Sequence, residues 1–63
     1  MQNTRKLVSV AEAAEYLGFS PKTIRNMIER GDLPAWRVGR KAIRLDLRDL
    51  DAMITPVGGG HRA

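Results

Sequence analysis

The stretch "SPKTIRNMIERGDLPAWRVGRKAIR", residues 20–44, changes from a helical to a strand-like pattern near its midpoint. In its first half, Ser20 suits a helix N-cap, Pro21 suits the first helical position, and Gly31 suits the end of a helix. In its second half, "AWRV" and "KAIRL" alternate with period two on either side of "GR". A Gly-X pair between such runs predicts a β-hairpin with a two-residue type II′ turn.

The predicted hairpin register pairs Trp36 with Ile43 and Arg37 with Ala42. Directly opposed residues share a face of the sheet, so this register separates apolar from basic side chains. The face turned to the core then carries Trp36, Val38, Ile43 and Leu45. The solvent side and the tip carry Arg37, Arg40, Lys41 and Arg44.

Another helix is predicted directly before this stretch, over residues 10–17. Ser9 stands three residues before Glu12, which is the spacing of a capping box, and Gly18 can end the helix in the left-handed conformation. The segment "GFS" connects this helix to the next one. Two helices so closely joined indicate a helix-turn-helix, in which we expect Phe19 to fill the corner.

After the hairpin, Asp46 is the candidate N-cap of a last helix, which Thr55 and Pro56 end. The apolar stripe of this helix consists of Leu47, Leu50, Met53 and Ile54. The elements together predict a mainly α domain with a small β-hairpin. This is a winged helix-turn-helix: a two-helix helix-turn-helix, a β-hairpin wing and a C-terminal helix.

We expect this domain to span residues 7–55. Residues 1–6 are expected to form a flexible basic N-terminus, although Arg5 and Lys6 could alternatively form an arm that reaches into a DNA groove. Residues 56–63, "PVGGGHRA", are expected to be a disordered glycine-rich tail.

Composition narrows the classes of function. A chain of 63 residues has little room for a deep catalytic pocket, and we expect no enzyme activity because no nucleophile–base arrangement is present. There is no cysteine, and the single histidine, His61, lies in the tail, so neither a metal site nor a cofactor is expected. No apolar run approaches the roughly 18 residues of a membrane span. The expected location is the cytoplasm.

Charge is concentrated in the middle of the chain. Residues 22–48 hold eight Lys and Arg against three Asp and Glu, a local net charge of +5. The remaining residues hold three basic against four acidic side chains, a net charge of −1. Such asymmetry is typical of a protein with one face that meets a polyanion. A generally basic surface would explain the overall charge of +4 but not the clustering.

The helix that begins at Pro21 has an outward face suited to DNA. Lys22 and Asn26 lie opposite its apolar stripe, and their side chains suit guanine acceptors and adenine edges in a major groove. The candidate DNA-contacting residues of this helix are Ser20, Lys22, Thr23, Arg25, Asn26 and Arg30. The alternative is an ordinary solvated helix face.

The hairpin adds a second basic element. A projecting β-ribbon can lie along a phosphate backbone or insert its tip into a narrow minor groove. The candidate DNA-contacting residues of the wing are Arg37, Arg40, Lys41 and Arg44. The alternative is a hairpin whose charges discourage edge-to-edge pairing. RNA is a weaker partner because the sequence shows no exposed aromatic platform on which single-stranded bases could stack.

The segment "LVSVAEAAEYLGFSPKTIRNMIERGDLPAWRVGRKAIRLDLRDLDAMI", residues 7–54, resembles the excisionase-type, MerR-like winged helix-turn-helix family. The resemblance implies that the second helix lies in the major groove of double-stranded DNA, with Lys22 and Asn26 reading bases. The hairpin would contact the adjacent backbone or minor groove. The resemblance also implies a phage or mobile-element recombination directionality factor, located with the nucleoid of a bacterial host.

In such a role, neighbouring copies bind adjacent sites cooperatively, bend the DNA and turn a tyrosine or serine integrase toward excision. The chain is expected to be a bare DNA-binding domain, without the coiled-coil helix or effector domain of larger MerR-type regulators. Two other interpretations stay open. One is a small transcriptional repressor that uses the same domain. The other is a protein-interaction module, which would need an exposed apolar patch that the sequence does not locate.

Overall fold

A computed structural model describes residues 5–58. Its elements in chain order are β1 Leu7–Ser9, α1 Val10–Leu17, α2 Pro21–Glu29, β2 Trp36–Val38, β3 Ala42–Asp46 and α3 Leu47–Ala52. The three strands form an antiparallel sheet in the order β1-β3-β2. The predicted winged helix-turn-helix is therefore confirmed, with β2 and β3 as its wing. Within the described residues, every helix is too short to cross a membrane.

The first helix begins and ends where the sequence predicts. The Glu12 amide donates to Ser9 Oγ at 3.0 Å, and the Ser9 amide donates to Glu12 Oε1 at 2.8 Å, which completes the capping box. The hydrogen bond from the Ser9 backbone, with the one from its side chain, holds the pKa of Glu12 below its ordinary value. Gly18, at φ 77°, ends α1 in the left-handed conformation.

The second helix is bounded by similar local signals. Ser20 Oγ accepts the Thr23 amide at 3.1 Å, which satisfies a free donor of the first turn. At the other end, Gly31 has φ 84°, and the Asp32 amide donates to the Met27 carbonyl at 2.9 Å. The chain thereby reverses direction immediately after α2 and enters the hairpin.

The core lies where both helices of the helix-turn-helix meet the sheet and α3. Its buried apolar side chains are Ala13, Ala14, Ile24, Met27, Leu33, Leu45 and Leu50. The two alanines carry only methyl groups, so α1 and α2 can approach closely around Ile24. Leu33, which comes from the turn "DLP", was not predicted as a core residue.

Several large side chains predicted to be buried are exposed instead. Phe19 is 44% exposed, Trp36 is 37% exposed, and Ile54 is 59% exposed. The corner residue Phe19, whose amide donates to the Ala14 carbonyl at 2.8 Å, therefore lies outside the core. Because α3 ends at Ala52, Met53 and Ile54 lie beyond its last turn and do not continue its buried stripe.

The first strand, β1, was not predicted. It pairs with β3, with Val8 opposite Leu45, and so makes β3 the central strand of the sheet. The Lys6 carbonyl accepts the Leu47 amide at 2.9 Å. Residues 5 and 6 were expected to belong to a flexible N-terminus, but they contact the domain. Residues 1–4 and the predicted tail from residue 59 onward lie outside the described residues.

The register of the wing differs from the prediction by one residue. Trp36 lies opposite Arg44 and Val38 lies opposite Ala42, so the connecting turn is residues 39–41 and not "GR" alone. The glycine that begins this turn has φ 71°, a left-handed conformation that glycine adopts without steric cost. One additional turn residue shifts β2 along β3, and each β2 side chain then points to the other face.

This register changes which wing residues face the core. Trp36 and Val38 share the outer face of the sheet with Arg44, and they are 37% and 45% exposed. Arg37 lies opposite Ile43, on the face that also carries buried Leu45. The prediction that Arg37 and Arg44 point the same way is therefore wrong.

Asp46, at the junction of β3 and α3, is a buried charged residue with several partners. Its Oδ1 accepts the Arg48 amide at 2.9 Å, which caps α3. Its Oδ2 lies 3.2 Å from Arg5 Nε and 3.5 Å from Arg48 Nη2. The guanidinium of Arg5 also lies 4.9 Å from the ring centroid of Trp36. The pKa of Asp46 lies below its ordinary value. The main cause is the hydrogen bond from the Arg48 amide, and the guanidinium groups of Arg48 and Arg5 lower it further.

Substitution of Leu50 tests where the core ends. Leu50→Ala removes a fully buried side chain and should lower the free energy of unfolding by about 2–5 kcal/mol. Ile54→Ala, the matched control, should change it by less than about 0.5 kcal/mol because Ile54 is exposed. Urea denaturation followed by circular dichroism measures both values. Equal losses for the two variants would contradict the described end of α3.

Substitution of Asp46 tests its role through pH. The folded-state pKa is lowered, so the stabilisation is fully present above the unfolded value of about 3.9 and is lost as pH falls through the folded value. Asp46→Asn should therefore lower the melting temperature at pH 7, and the difference from the native chain should shrink below about pH 4. Asp49→Asn, in the first turn of the helix that Asp46 caps, is the control and should have a smaller effect. A difference that stays constant down to about pH 2 would contradict this role.

Candidate nucleic-acid interface

The outward face of α2 presents polar side chains to solvent. Lys22 and Asn26 are exposed and lie on the opposite side of the helix from fully buried Ile24. Within residues 5–58, neither side chain makes a hydrogen bond or ion pair. Their polar groups are therefore available to a ligand without the loss of an internal contact.

The charge of α2 is polarised along its length. Residues 20–28 contain Lys22 and Arg25 but no acidic residue, and Glu29 is the acid at the C-terminal end of the helix. The N-terminal half, where the backbone amides of the first turn also point outward, is thus the more positive half. An anion is best accommodated at this half of α2.

Three other predicted α2 residues already have partners. Ser20 Oγ accepts the Thr23 amide and lies 3.0 Å from Thr23 Oγ1. Arg30 Nε lies 3.1 Å from Asp32 Oδ2 in an exposed ion pair. Exposed ion pairs contribute little to stability, so Arg30 can exchange its carboxylate for a phosphate at small cost.

The four predicted wing residues fall into two sets. Arg37, Arg40 and Lys41 are exposed, the last two within the turn of residues 39–41. Arg44 is different, because it is half-buried on the central strand and its Nη1 donates to the Ile43 carbonyl at 2.9 Å. The structure brings Arg44, Lys41 and Arg25 together around one groove, whereas Arg37 does not line it.

Arg5, which the sequence offered as part of a groove-reaching arm, and Tyr16 of α1 both have structural partners. Arg5 is held by Asp46 and Trp36, so its guanidinium is occupied within the fold. The Tyr16 hydroxyl donates to the carboxylate of Asp51, which joins α1 to α3. This hydrogen bond is the main cause that raises the pKa of Tyr16 above its ordinary value.

The start of α1 is a part of the candidate interface that sequence reasoning missed. Residues 9–11 line the same groove as Arg25, Lys41 and Arg44. No local pattern could reveal this, because it is the pairing of β1 with β3 that places Ser9 opposite Arg44.

Comparison with known proteins places the chain in a family. Residues 7–56 match the family model described as a helix-turn-helix domain. Over 50 residues the chain is 38% identical to an excisionase of Mycobacterium phage D29, and the alignment covers 79% of this chain and 89% of that relative. The matched residues include both helices of the helix-turn-helix, the wing and α3. This chain therefore belongs to the excisionase-type helix-turn-helix family.

Proposed function

We propose that this protein binds double-stranded DNA sequence-specifically and acts as an excisionase. The observation that carries the proposal is the pair of exposed basic elements, α2 and the turn of residues 39–41, whose long side chains are mostly without partners inside the described domain. Membership of the excisionase-type family supports the same function.

In this proposal α2 lies in the major groove, with its N-terminal half nearest the bases. Lys22 donates to guanine acceptors and Asn26 makes paired hydrogen bonds to adenine. Thr23 lies beside them, and Ser20 and Arg30 contact phosphates. The lack of internal partners for Lys22 and Asn26 supports these roles, because base contacts then replace only hydrogen bonds to water.

The wing extends the contact to the neighbouring backbone and minor groove. Arg40 and Lys41, at the tip, have the exposure that such contacts need. Arg37 faces a different side and reaches the backbone from the edge strand β2. Each phosphate that these cations neutralise releases counterions, so the affinity should fall steeply with salt concentration.

Excision would follow from several copies on adjacent sites. A single domain this small covers little DNA, so neighbouring copies would supply cooperativity and accumulate a bend. The bent DNA would favour a tyrosine or serine integrase in the excision direction. The protein would perform no strand chemistry itself and would be located with the nucleoid.

A gel-shift titration at two salt concentrations tests DNA reading. On duplexes that contain an attachment-site arm, Lys22→Ala should weaken selective binding by about 1–3 kcal/mol and relax the sequence preference. Arg40→Ala should weaken binding to all sequences and reduce the salt slope by about 1. Arg48→Gln, the matched control, removes the same charge from a side chain already paired with Asp46 and should have a smaller effect.

The pattern of shifted bands in the same titration tests the excisionase role. A ladder of cooperative shifts confined to the attachment-site arm agrees with the proposal. One discrete shift at a promoter would instead indicate a repressor. The absence of selective binding to any duplex would contradict DNA reading altogether.

A further inference from the structure

A basic groove separates α2 from the wing. It has a volume of about 410 Å³, and it is lined by residues 9–11 at the start of α1, by Ile43, and by Arg25, Lys41 and Arg44. The three cations come from three different elements, namely α2, the turn and β3. Arg25 lies 16 positions before Lys41 in the sequence, and it is the fold that brings it to the same groove as Lys41 and Arg44.

The charges around this groove are not balanced by the protein. No carboxylate lines it within residues 5–58, and Arg25 and Lys41 take part in no ion pair there. Glu12 does not line the groove, and its pKa is lowered chiefly by its hydrogen bonds to Ser9 and to a smaller degree by the charge of Arg44. Three cations around one open groove repel one another, and a bound anion relieves that repulsion.

The ligand class follows from the donors and from what flanks the groove. Guanidinium and ammonium groups together favour a phosphate, to which both donate charge-assisted hydrogen bonds. Arg25 of α2 lines the groove, and so does Lys41, the neighbour of Arg40 in the turn. In the proposed complex, a DNA strand that runs from the major groove at α2 to the minor groove at the wing tip passes near this groove.

We propose that Arg25, Lys41 and Arg44 form a single slot that holds one backbone phosphate of the bound DNA strand. The inference rests on the proposed function and deepens it. In this proposal Arg25 and Arg44 contact the phosphate backbone of the DNA and do not contact bases. The half-buried position of Arg44 agrees with this role, because its hydrogen bond to the Ile43 carbonyl fixes the guanidinium at the groove.

A methylphosphonate scan of the duplex tests the slot. Neutralising one phosphate at a time should identify a position that weakens binding of the native protein by about tenfold or more, the scale of one charge-assisted hydrogen bond. Arg25→Gln, Lys41→Gln and Arg44→Gln should each reduce the sensitivity at this same position. Arg48→Gln is the control, since Arg48 does not line the groove and is paired with Asp46, and it should leave the sensitivity unchanged.

Two further measurements distinguish the loss of a phosphate contact from the loss of folding. Arg44→Lys retains the charge and should keep most of the sensitivity, and thermal unfolding of each variant shows whether it is folded. If the three glutamine variants lose sensitivity at different phosphates, or at none, the slot is wrong while selective DNA binding by the native protein still supports the proposed function. If the native protein binds no duplex selectively, the proposed function and the slot fail together.

Discussion

The buried carboxylate of Asp46 holds the parts of this small domain together. A charge removed from water is tolerated only when it is paired and hydrogen-bonded, and Asp46 has the Arg48 amide, Arg48 and Arg5 as partners. The contact of Arg5 with Trp36 extends this group to the edge strand of the wing. One side chain thereby connects the N-terminal segment, the sheet and α3.

The division between held and available cations is the feature most relevant to function. Arg5, Arg30 and Arg48 are engaged with carboxylates of the domain, whereas Lys22, Arg25 and Lys41 have no such partner within residues 5–58. The available cations lie on α2 and the turn of the wing, the two elements that the proposed complex places on DNA. The same scaffold that stabilises the fold thus leaves one set of charges for the ligand.

Local signals in the sequence were sufficient to predict where the helices begin. The caps at Ser9, Ser20 and Asp46 depend on residues within three positions, so a sequence pattern contains them. The wing register depends on the length of the turn, which "GR" left ambiguous between two and three residues. Strand β1 has three residues, too few to show a period, and its pairing with β3 is a long-range contact.

The residues of the candidate interface also divide into those whose position could be predicted from the sequence and those whose position could not. Exposure of Lys22 and Asn26 follows from helical periodicity around Ile24 and could be predicted. The position of Arg44 could not, because it depends on the register, and the anchoring of Arg5 depends on a carboxylate 41 positions away along the chain. The burial of Leu33 could not be predicted for another reason. A lone leucine within a turn belongs to no periodic pattern that would indicate whether its side chain faces the core.

Whether α2 and the wing meet DNA is tested by an NMR titration of the ¹⁵N-labelled protein with a duplex from an attachment-site arm. We expect the largest amide shift changes in α2 and in residues 39–44, and no change on the outer side of α1 around Glu15. Changes centred on α1 and α3, with α2 and the wing unaffected, would contradict DNA binding by α2 and the wing.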